Sequence, residues 1–237
     1  MTARLRRERM REVLKKAFRA TLPVLAGYLV LGAAFGVLMS GAGYKPWFTC
    51  LMSLTAYAGS LQFAAVSLLT GGASLISAGV TALSVNARHI FYGISMAERY
   101  ALAGKTKPYL IFALTDETYS LVSAAHPDLS PEEELKFCFR VSLLDHLYWI
   151  AGTAIGAVSG SLLSIDTTGF EFALTALFLT VVIDQWRDTP KEHGSSLAGI
   201  GITLVCLLLF GRENFLLIAM PLIIVCLLIK DRGGKKA

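Results

Sequence analysis

Apolar windows of membrane-spanning length follow one another along nearly the whole chain, separated by short polar segments. They cover residues 22–41, 47–70, 73–94, 109–125, 138–163, 169–185, 197–210 and 215–229. A helix needs about 20 mainly apolar residues to cross roughly 30 Å of hydrocarbon, and most of the windows approach that length. The last two windows are shorter and are interpreted as thin, tilted or re-entrant. The pattern predicts an all-α polytopic membrane bundle with about 8 transmembrane helices, and a count of about six or seven stays open.

The composition agrees with a membrane protein and excludes an ordinary soluble domain. Hydrophobic residues make up 54% of the chain and charged residues 16%, whereas a soluble domain carries about 25% charged residues. The mean hydropathy is +0.59. The cysteines Cys50, Cys138, Cys206 and Cys226 show no CxxC or Cys/His ligand spacing. We therefore expect neither a disulfide framework nor a metal site, and no cofactor.

The net charge of +5 comes with basic residues that gather at the two ends of the chain. They occupy positions 4, 6, 7, 9, 11, 15, 16 and 19 before the first window, and 230, 232, 235 and 236 after the last. We divide the chain into a basic amphipathic segment on the membrane surface (1–20), a single transmembrane domain (21–230) and a basic tail (231–237). The positive-inside rule predicts a multi-pass protein of the cytoplasmic (inner) membrane with both termini in the cytoplasm. One loop argues against this topology, because Arg99, Lys105 and Lys107 would face outside.

An internal repeat is the next signal along the chain. The segment Gly32–Gly36 aligns with Gly152–Gly156 at an offset of 120 residues, and further short matches follow. The candidate repeats, of about three helices each, cover residues 22–96 and 142–212, as is common in secondary transporters. The span count predicts parallel repeats, and inverted repeats if one intervening segment fails to cross. Glycines at every fourth position also predict close approach of helix backbones.

Polar and ionisable residues interrupt several of the apolar windows. They include Asn86, Arg88, His89, Asp116, Glu117, Asp145 and His146. A charge at the bilayer centre costs roughly 2.5 to 3.5 kcal/mol on insertion scales, so such residues face a cavity, a partner or a substrate. The segment Tyr57–Gln62 places Gly59, Ser60 and an amide inside the second window, which favours a broken helix with unpaired backbone groups. A simple interhelical hydrogen bond from Gln62 explains that amide equally well.

Three motifs together make the chain resemble a known family. They are Tyr57–Phe63 (YAGSLQF), Val85–Gly93 (VNARHIFYG) and Leu114–Tyr119 (LTDETY). In this order and spacing they resemble the AzlC family, the large subunit of two-component branched-chain amino acid permeases. The resemblance implies export of valine, leucine, isoleucine and related amino acids together with a small hydrophobic AzlD-type membrane subunit. Because the basic residues gather at the two ends of the chain, we expect contact with membrane lipid and none with nucleic acid, and a higher oligomer stays open.

An amino-acid substrate needs partners for its carboxylate, its ammonium and its apolar side chain. Arg88 is a candidate for the carboxylate, although helix N-terminal amides can take its place. Asp116, Glu117 or Asp145 are candidates for the ammonium, and the rings of Phe63, Tyr92 or Trp149 for the apolar pocket. The alternative for Arg88 is a structural ion pair with an acidic residue of the fourth or fifth window. The full set of candidate substrate-binding or translocation residues is Tyr57, Gly59, Ser60, Gln62, Asn86, Arg88, Asp116, Glu117 and Asp145.

Proton coupling is a separate hypothesis for the titratable residues. Histidine changes charge near neutral pH, and buried carboxylates can do so. The candidates are His89, Asp116, Glu117, Asp145 and His146. Asp145 and His146 are neighbours, but side chains of adjacent residues on a helix point about 100° apart and need not touch.

Two functions of other classes are alternatives to a transporter. The chain has no GxSxG, HExxH or paired-aspartate protease motif, so we do not expect an enzyme. A channel or a non-transporting membrane assembly subunit stays open, because the same polar residues can line a pore or hold a partner helix.

Overall fold

A computed structural model describes residues 3–124, 127–163, 179, 183, 186–187 and 193–234. All regular elements within these ranges are helical, as the sequence predicts. They are α1 (Ala3–Gly41), α2 (Pro46–Thr55), α3 (Gly59–Thr70), α4 (Leu75–Met96), a 3₁₀ turn (Gly104–Thr106), α5 (Lys107–Phe112), α6 (Asp116–Ser123), α7 (Pro131–Leu162) and α8 (His193–Gly234). The α8 helix is interrupted at Gly211, whose φ of 72° is not helical.

Among the described residues, three helical stretches are long and apolar enough to cross a membrane. They are Arg7–Gly41, Pro131–Leu162 and His193–Gly211. The predicted window 169–185 lies almost entirely outside the described residues, so the total of about 8 transmembrane helices stays a prediction. The chain forms two compact units, residues 1–72 with 86–170, and residues 73–85 with 171–237. The polar residues singled out above lie in the first unit.

The first unit is built around a close parallel contact between α1 and α7. A Cβ added at Gly32 would lie 2.9 Å from the carbonyl oxygen of Trp149, and one at Gly36 would overlap the backbone of Thr153 and Ala157. Residue numbers rise together along both helices, so the helices run in the same direction. Glycines allow this approach because they carry no side chain, which is how helices associate where lipid removes the hydrophobic driving force.

Residues of α1 and α7 that are 120 positions apart in the sequence make equivalent contacts with the opposite helix. Gly32 faces the carbonyl of Trp149, and Gly152 faces the carbonyl of Leu29, each with a Cβ-to-oxygen distance of 2.9 Å. In the same way Gly36 faces Thr153, and Gly156 faces Ala33. A two-fold axis along a parallel helix pair generates such contacts. The duplication, and whether its repeats are parallel or inverted, stays a prediction, because residues 142–212 are only partly described.

The second predicted span is two helices that turn back. The α2 helix runs antiparallel to α7: the Ser53 hydroxyl bonds Thr153, and the next contacts along the chain are with His146, through the Ser53 carbonyl and the Tyr57 ring. The chain then reverses at residues 56–58. From Tyr57, which contacts the Tyr28 ring, α3 runs in the direction of α1 and brings the Phe63 ring to within 5.8 Å of Phe35. The α2–α3 pair therefore enters and leaves at the end of the unit where α1 finishes.

The fourth predicted span is likewise two short helices, entering from the opposite end. Leu110 of α5 lies in the core with Val13 of α1, and Phe112 reaches the Tyr57 ring. The chain reverses at residues 113–115, and α6 returns until Val122 lies in the same core as Val13. Thr115 caps α6 by accepting a hydrogen bond from the Thr118 amide, which explains why the second helix begins there.

We call the end where α1 begins the basic end. Arg9 there pairs with Glu133 at 3.7 Å, and Arg99 pairs with Glu134 at 3.6 Å. The loop with Arg99 therefore lies at the same end as the basic N-terminal segment, and the expectation that Arg99 faces the other side was wrong. The physical reason is that the second window turns back at residues 56–58 instead of crossing.

The N-terminal segment, for which the sequence predicts a helix on the membrane surface, is helical and is part of a longer element. It is continuous with the first span in the 39-residue helix α1. Val13 and Ala17 are buried in a core with Tyr100 and Phe137. At the start of α7, Ser130 and Glu133 form a capping box.

We predict that Gly156→Ala destabilises the protein by about 1–3 kcal/mol or more, because the added methyl overlaps the backbone at Ala33. Gly27→Ala is the matched control, since nothing lies within 4 Å of a Cβ at that helical position. Thermal unfolding in detergent measures both. An unchanged midpoint for Gly156→Ala would argue against the close α1–α7 contact.

We predict that Lys45→Cys and Thr70→Cys, in a chain whose four native cysteines are replaced by serine, react with an impermeant maleimide from the same side of the membrane. Leu102→Cys, 80% exposed at the basic end, should react from the opposite side. Labelling of oriented vesicles checks this. Reaction of Thr70→Cys from the side of Leu102→Cys would mean that the α2–α3 pair crosses.

Candidate functional site

The turns of the two helix pairs meet between α1 and α7. The Tyr57 ring lies 6.3 Å from Phe112 of the other pair, stacks on His146 at 4.3 Å and meets Tyr28 edge-on at 6.4 Å. Both returning helices, α3 and α6, begin at these turns. Their first amides, which lack carbonyl partners within the helix, therefore face the same interior region. We call this region the central site.

Arg88 of α4 is held by groups from both returning helices. Its Nη1 lies 2.8 Å from Asp116 Oδ2, and its Nη2 donates to Ser60 Oγ at 3.2 Å. Tyr92, one turn along α4, donates to Asp116 Oδ1 at 2.6 Å and stacks on Tyr119. The two charged side chains are each 30% exposed. The ion pair anticipated from the sequence as an alternative role for Arg88 is thus present, and it is open on one side.

Asp145 of α7 and Glu117 of α6 are joined by three hydroxyl groups. Thr118 Oγ1 donates to Asp145 Oδ2 at 2.8 Å, and Thr115 Oγ1 lies 3.0 Å from Thr118 Oγ1. The Tyr28 hydroxyl lies 2.8 Å from Thr115 Oγ1 and donates to Glu117 Oε2 at 2.7 Å. Asp145 is fully buried, whereas Glu117 is exposed in this chain.

Gln62 makes the interhelical hydrogen bonds that the sequence left as one of two explanations. Its side-chain oxygen accepts from the Trp149 indole at 2.7 Å, and its amide donates to Ser53 Oγ at 2.9 Å. Ser53 in turn bonds Thr153 at 2.8 Å. Because Gln62 is fully buried and both ends of its amide are paired, its role here is to hold α3 against α7.

The two histidines occupy different environments. His146 Nε2 lies 3.2 Å from the Ser53 carbonyl, and its Nδ1 lies 3.3 Å from the Tyr109 hydroxyl. A neutral imidazole satisfies both contacts. His89 lies on α4 with its ring near Tyr92. Asp145 and His146 bond different partners, which agrees with the divergence of adjacent side chains on a helix.

Three buried polar atoms around the central site have no hydrogen-bond partner among the described residues. They are the Tyr57 hydroxyl, Arg88 Nε and Asp145 Oδ1. Native proteins leave few buried polar groups unpaired, so three such atoms around one site are unusual. All three belong to residues that lie at, or contact, the turns where α3 and α6 begin. Within the described residues, no group of His, Cys, Asp and Glu is arranged to hold a metal ion.

The structure brings most of the sequence-predicted residues together at the central site. Gly59 packs against the Trp149 ring, where a Cβ would lie 3.1 Å from the indole. Asn86 and His89 lie on α4 beside Arg88 and make no side-chain hydrogen bond within the described part of the chain. Sequence reasoning missed the hydroxyl residues Tyr28, Ser53, Thr115, Thr118 and Thr153. Thr115 and Thr118 were inside the quoted motif Leu114–Tyr119, and their spacing of three around Asp116 was a helix-cap signal.

Comparison with known proteins places the chain in a family. The AzlC protein family model matches residues 23–163. The chain belongs to the AzlC family. This AzlC-family protein is 40% identical over 223 residues to the branched-chain amino acid transport protein AzlC of Bacillus subtilis (strain 168), covering 94% of this chain and 87% of the relative. No solved structure matches it.

Two further relatives are described as membrane proteins. A Helicobacter pylori (strain ATCC 700392 / 26695) membrane protein is 42% identical over 215 residues, covering 91% of this chain and 93% of the relative. The inner membrane protein YgaZ of Escherichia coli (strain K12) is 30% identical over 173 residues, covering 70% and 71%. Together with the long apolar helices, these relatives identify this AzlC-family chain as a membrane protein.

We predict that Arg88 and Asp116 are energetically coupled. Arg88→Gln or Asp116→Asn alone leaves one charge without its partner, whereas the double variant removes both charges. The double-mutant cycle should therefore show a coupling of about 1–3 kcal/mol by thermal or denaturant unfolding. The exposed pair Lys16–Asp128 is the control, for which less than about 1 kcal/mol is expected. Additive effects at Arg88 and Asp116 would contradict the pair.

Proposed function

We propose that this protein transports branched-chain amino acids, namely valine, leucine, isoleucine and their analogues, out of the cell as the large subunit of a proton-coupled two-component secondary transporter. The observation that carries the substrate class is the 40% identity over 94% of the chain to a protein named for branched-chain amino acid transport. The central site supports it, because two broken helix pairs meeting inside a membrane protein are a known way to bind polar substrates.

The α3 N-terminus is the proposed carboxylate subsite. Ala58 at the N-cap has no side chain that can satisfy the first amides of α3, and Ser60 adds a hydroxyl in contact with Arg88. The Arg88 Nε is unpaired. A carboxylate at this position gains charge-assisted hydrogen bonds from the guanidinium and from the positive end of the helix dipole.

The proposed ammonium partner is Asp116. In the described structure Asp116 pairs with Arg88, and both side chains are partly open. A zwitterion entering between them replaces one ion pair by two, the carboxylate with Arg88 and the ammonium with Asp116. Tyr57, Phe63 and Tyr92 are then the proposed wall for the branched side chain, while Asn86 is retained as a translocation residue. When no substrate is bound, Arg88 and Asp116 neutralise each other.

The proposed location is the cytoplasmic membrane, with the basic end in the cytoplasm. An inner-membrane relative supports the location. The orientation follows from the positive-inside rule, which Arg99 now supports because it lies at the same end as Arg9 and Glu133. A small hydrophobic AzlD-type subunit is the proposed partner, with a higher oligomer as an open possibility for the complex.

Transport in proteoliposomes tests the proposal. We expect saturable uptake of radiolabelled leucine, valine and isoleucine, and counterflow between identical substrates, when the full chain is reconstituted with the AzlD-type subunit. Arg88→Gln should raise the half-saturation concentration at least tenfold, since a charge-assisted hydrogen bond is worth about 1.5–3 kcal/mol. Lys16→Gln, at an exposed pair far along α1, is the control.

The same experiment separates the alternatives. Flux that rises linearly with leucine concentration and shows no counterflow would favour a channel. If the folded full chain binds the small subunit but carries no leucine flux, the result would favour a non-transporting assembly subunit.

A further inference from the structure

The link between Asp145 and Glu117 is a complete chain of hydrogen-bonding oxygens. It runs from Asp145 Oδ2 through Thr118, Thr115 and Tyr28 to Glu117 Oε2, with successive distances of 2.8, 3.0, 2.8 and 2.7 Å. Every oxygen between the two carboxylates belongs to a hydroxyl group, which can donate and accept at the same time. The chain crosses three elements, α7, α6 and α1.

The hydrogen-bonded link between Asp145 and Glu117 is one proton short when both carboxylates are ionised. Four hydrogen bonds join the two carboxylates, by the contacts Asp145–Thr118, Thr118–Thr115, Thr115–Tyr28 and Tyr28–Glu117. Each bond needs one proton, but the three hydroxyl groups supply only three. If both carboxylates are ionised, one of the four bonds has no hydrogen. One additional proton, on either carboxylate, completes all four.

The two ends of the chain are the two places where that proton can reside. With Asp145 protonated, Asp145 donates to Thr118, and each hydroxyl donates toward Glu117. With Glu117 protonated, every donor reverses and Thr118 donates to the Asp145 carboxylate. Moving between these states breaks and forms one O–H bond at each step. The net result is transfer of one proton, without any oxidant or reductant.

The surroundings favour a shared proton over two charges. The charged and titratable groups that face the link are Tyr57, Tyr109 and His146 around Asp145, and Tyr92 and Asp116, the latter with its partner Arg88, on the side of Glu117. Arg88 pairs with Asp116, and His146 is satisfied as a neutral ring by Ser53 and Tyr109. No ion pair to Asp145 or Glu117 occurs among the described residues. Two linked carboxylates that have no ion-pair partner of their own repel each other, and one proton removes that repulsion.

We propose that Asp145 and Glu117 share one proton through Thr118, Thr115 and Tyr28, and that this relay couples transport to the proton gradient. Glu117 is the end of the relay that is exposed on this protein, and it exchanges protons with water or substrate. Asp145 is the fully buried end, and its second oxygen is unpaired beside the central site. The coupling role rests on the proposed transport function, whereas the shared proton itself does not.

Infrared spectroscopy of the purified full-length chain tests the shared proton without transport. We expect a protonated-carboxyl stretching band at neutral pH that disappears in Asp145→Asn and shifts in Tyr28→Phe and Thr118→Val. Tyr100→Phe and Thr21→Val, at a buried tyrosine and a buried threonine outside the chain, should leave the band in place. Absence of the band from folded wild-type protein, or a band insensitive to Asp145→Asn, would overturn the proposal.

Reconstituted protein with the small subunit tests the coupling role. Counterflow involves no net proton movement, so Tyr28→Phe and Thr118→Val should retain leucine counterflow but lose uptake driven by a pH gradient. Thr118→Ser, which restores a hydroxyl, should regain it. Gradient-driven uptake that survives in Tyr28→Phe and Thr118→Val would overturn the relay, as would loss of counterflow in both. A wild type without counterflow would instead count against the proposed function, and the infrared result would stand by itself.

Discussion

The parallel contact between α1 and α7 is the constraint on which the rest of the first unit depends. In lipid the apolar faces of helices gain little by leaving one apolar medium for another, so close packing and hydrogen bonds must hold helices together. Glycines at matching positions let the two backbones touch, for example at Gly36 with Thr153 and at Gly156 with Ala33. This contact fixes the distance between Tyr28 on one helix and Asp145 on the other. The central site exists because that distance is spanned by the turns of two broken helix pairs.

The broken pairs bring polar backbone and polar side chains into an apolar region, and burial in protein is the condition for doing so. Tyr57 and Ala58 at one turn, and Ala113 and Leu114 at the other, are buried within the chain. The structural hydrogen bonds of Gln62 to Trp149 and Ser53 hold the first pair against α7. The Thr115 cap starts α6 at the second turn. Rigid supports of this kind leave only a few polar atoms of the described residues unsatisfied, and three of them lie around the central site.

The charges of the central site fall into two groups with different physical roles. Arg88 and Asp116 neutralise each other and are partly open, which suits an ion pair that a zwitterionic substrate divides. Asp145 and Glu117 have only hydroxyl groups between them, which suits a proton that moves between the two ends. Both groups use α6, since Asp116 and Glu117 are adjacent residues. Under the two proposals, a change in the Arg88–Asp116 pair takes place next to one end of the proton relay, and α6 is the element through which the two groups act on each other.

The sequence by itself determined the membrane class and the AzlC family, and it supplied the list of candidate site residues. It could do so because apolar length, rare buried charges and short motifs are local properties. It also indicated the matching glycines by their offset, whereas Thr115 and Thr118 lay inside a quoted motif without being recognised as a cap and a link to Asp145. Tertiary structure decided that the windows 47–70 and 109–125 turn back, since an apolar stretch has the same composition whether it crosses or reverses. It placed Arg99 at the basic end beside Glu134. It also chose the partners of Arg88 and Asp145, because which side chains meet depends on how α1, α4, α6 and α7 pack, and that information is spread over residues far apart in the chain.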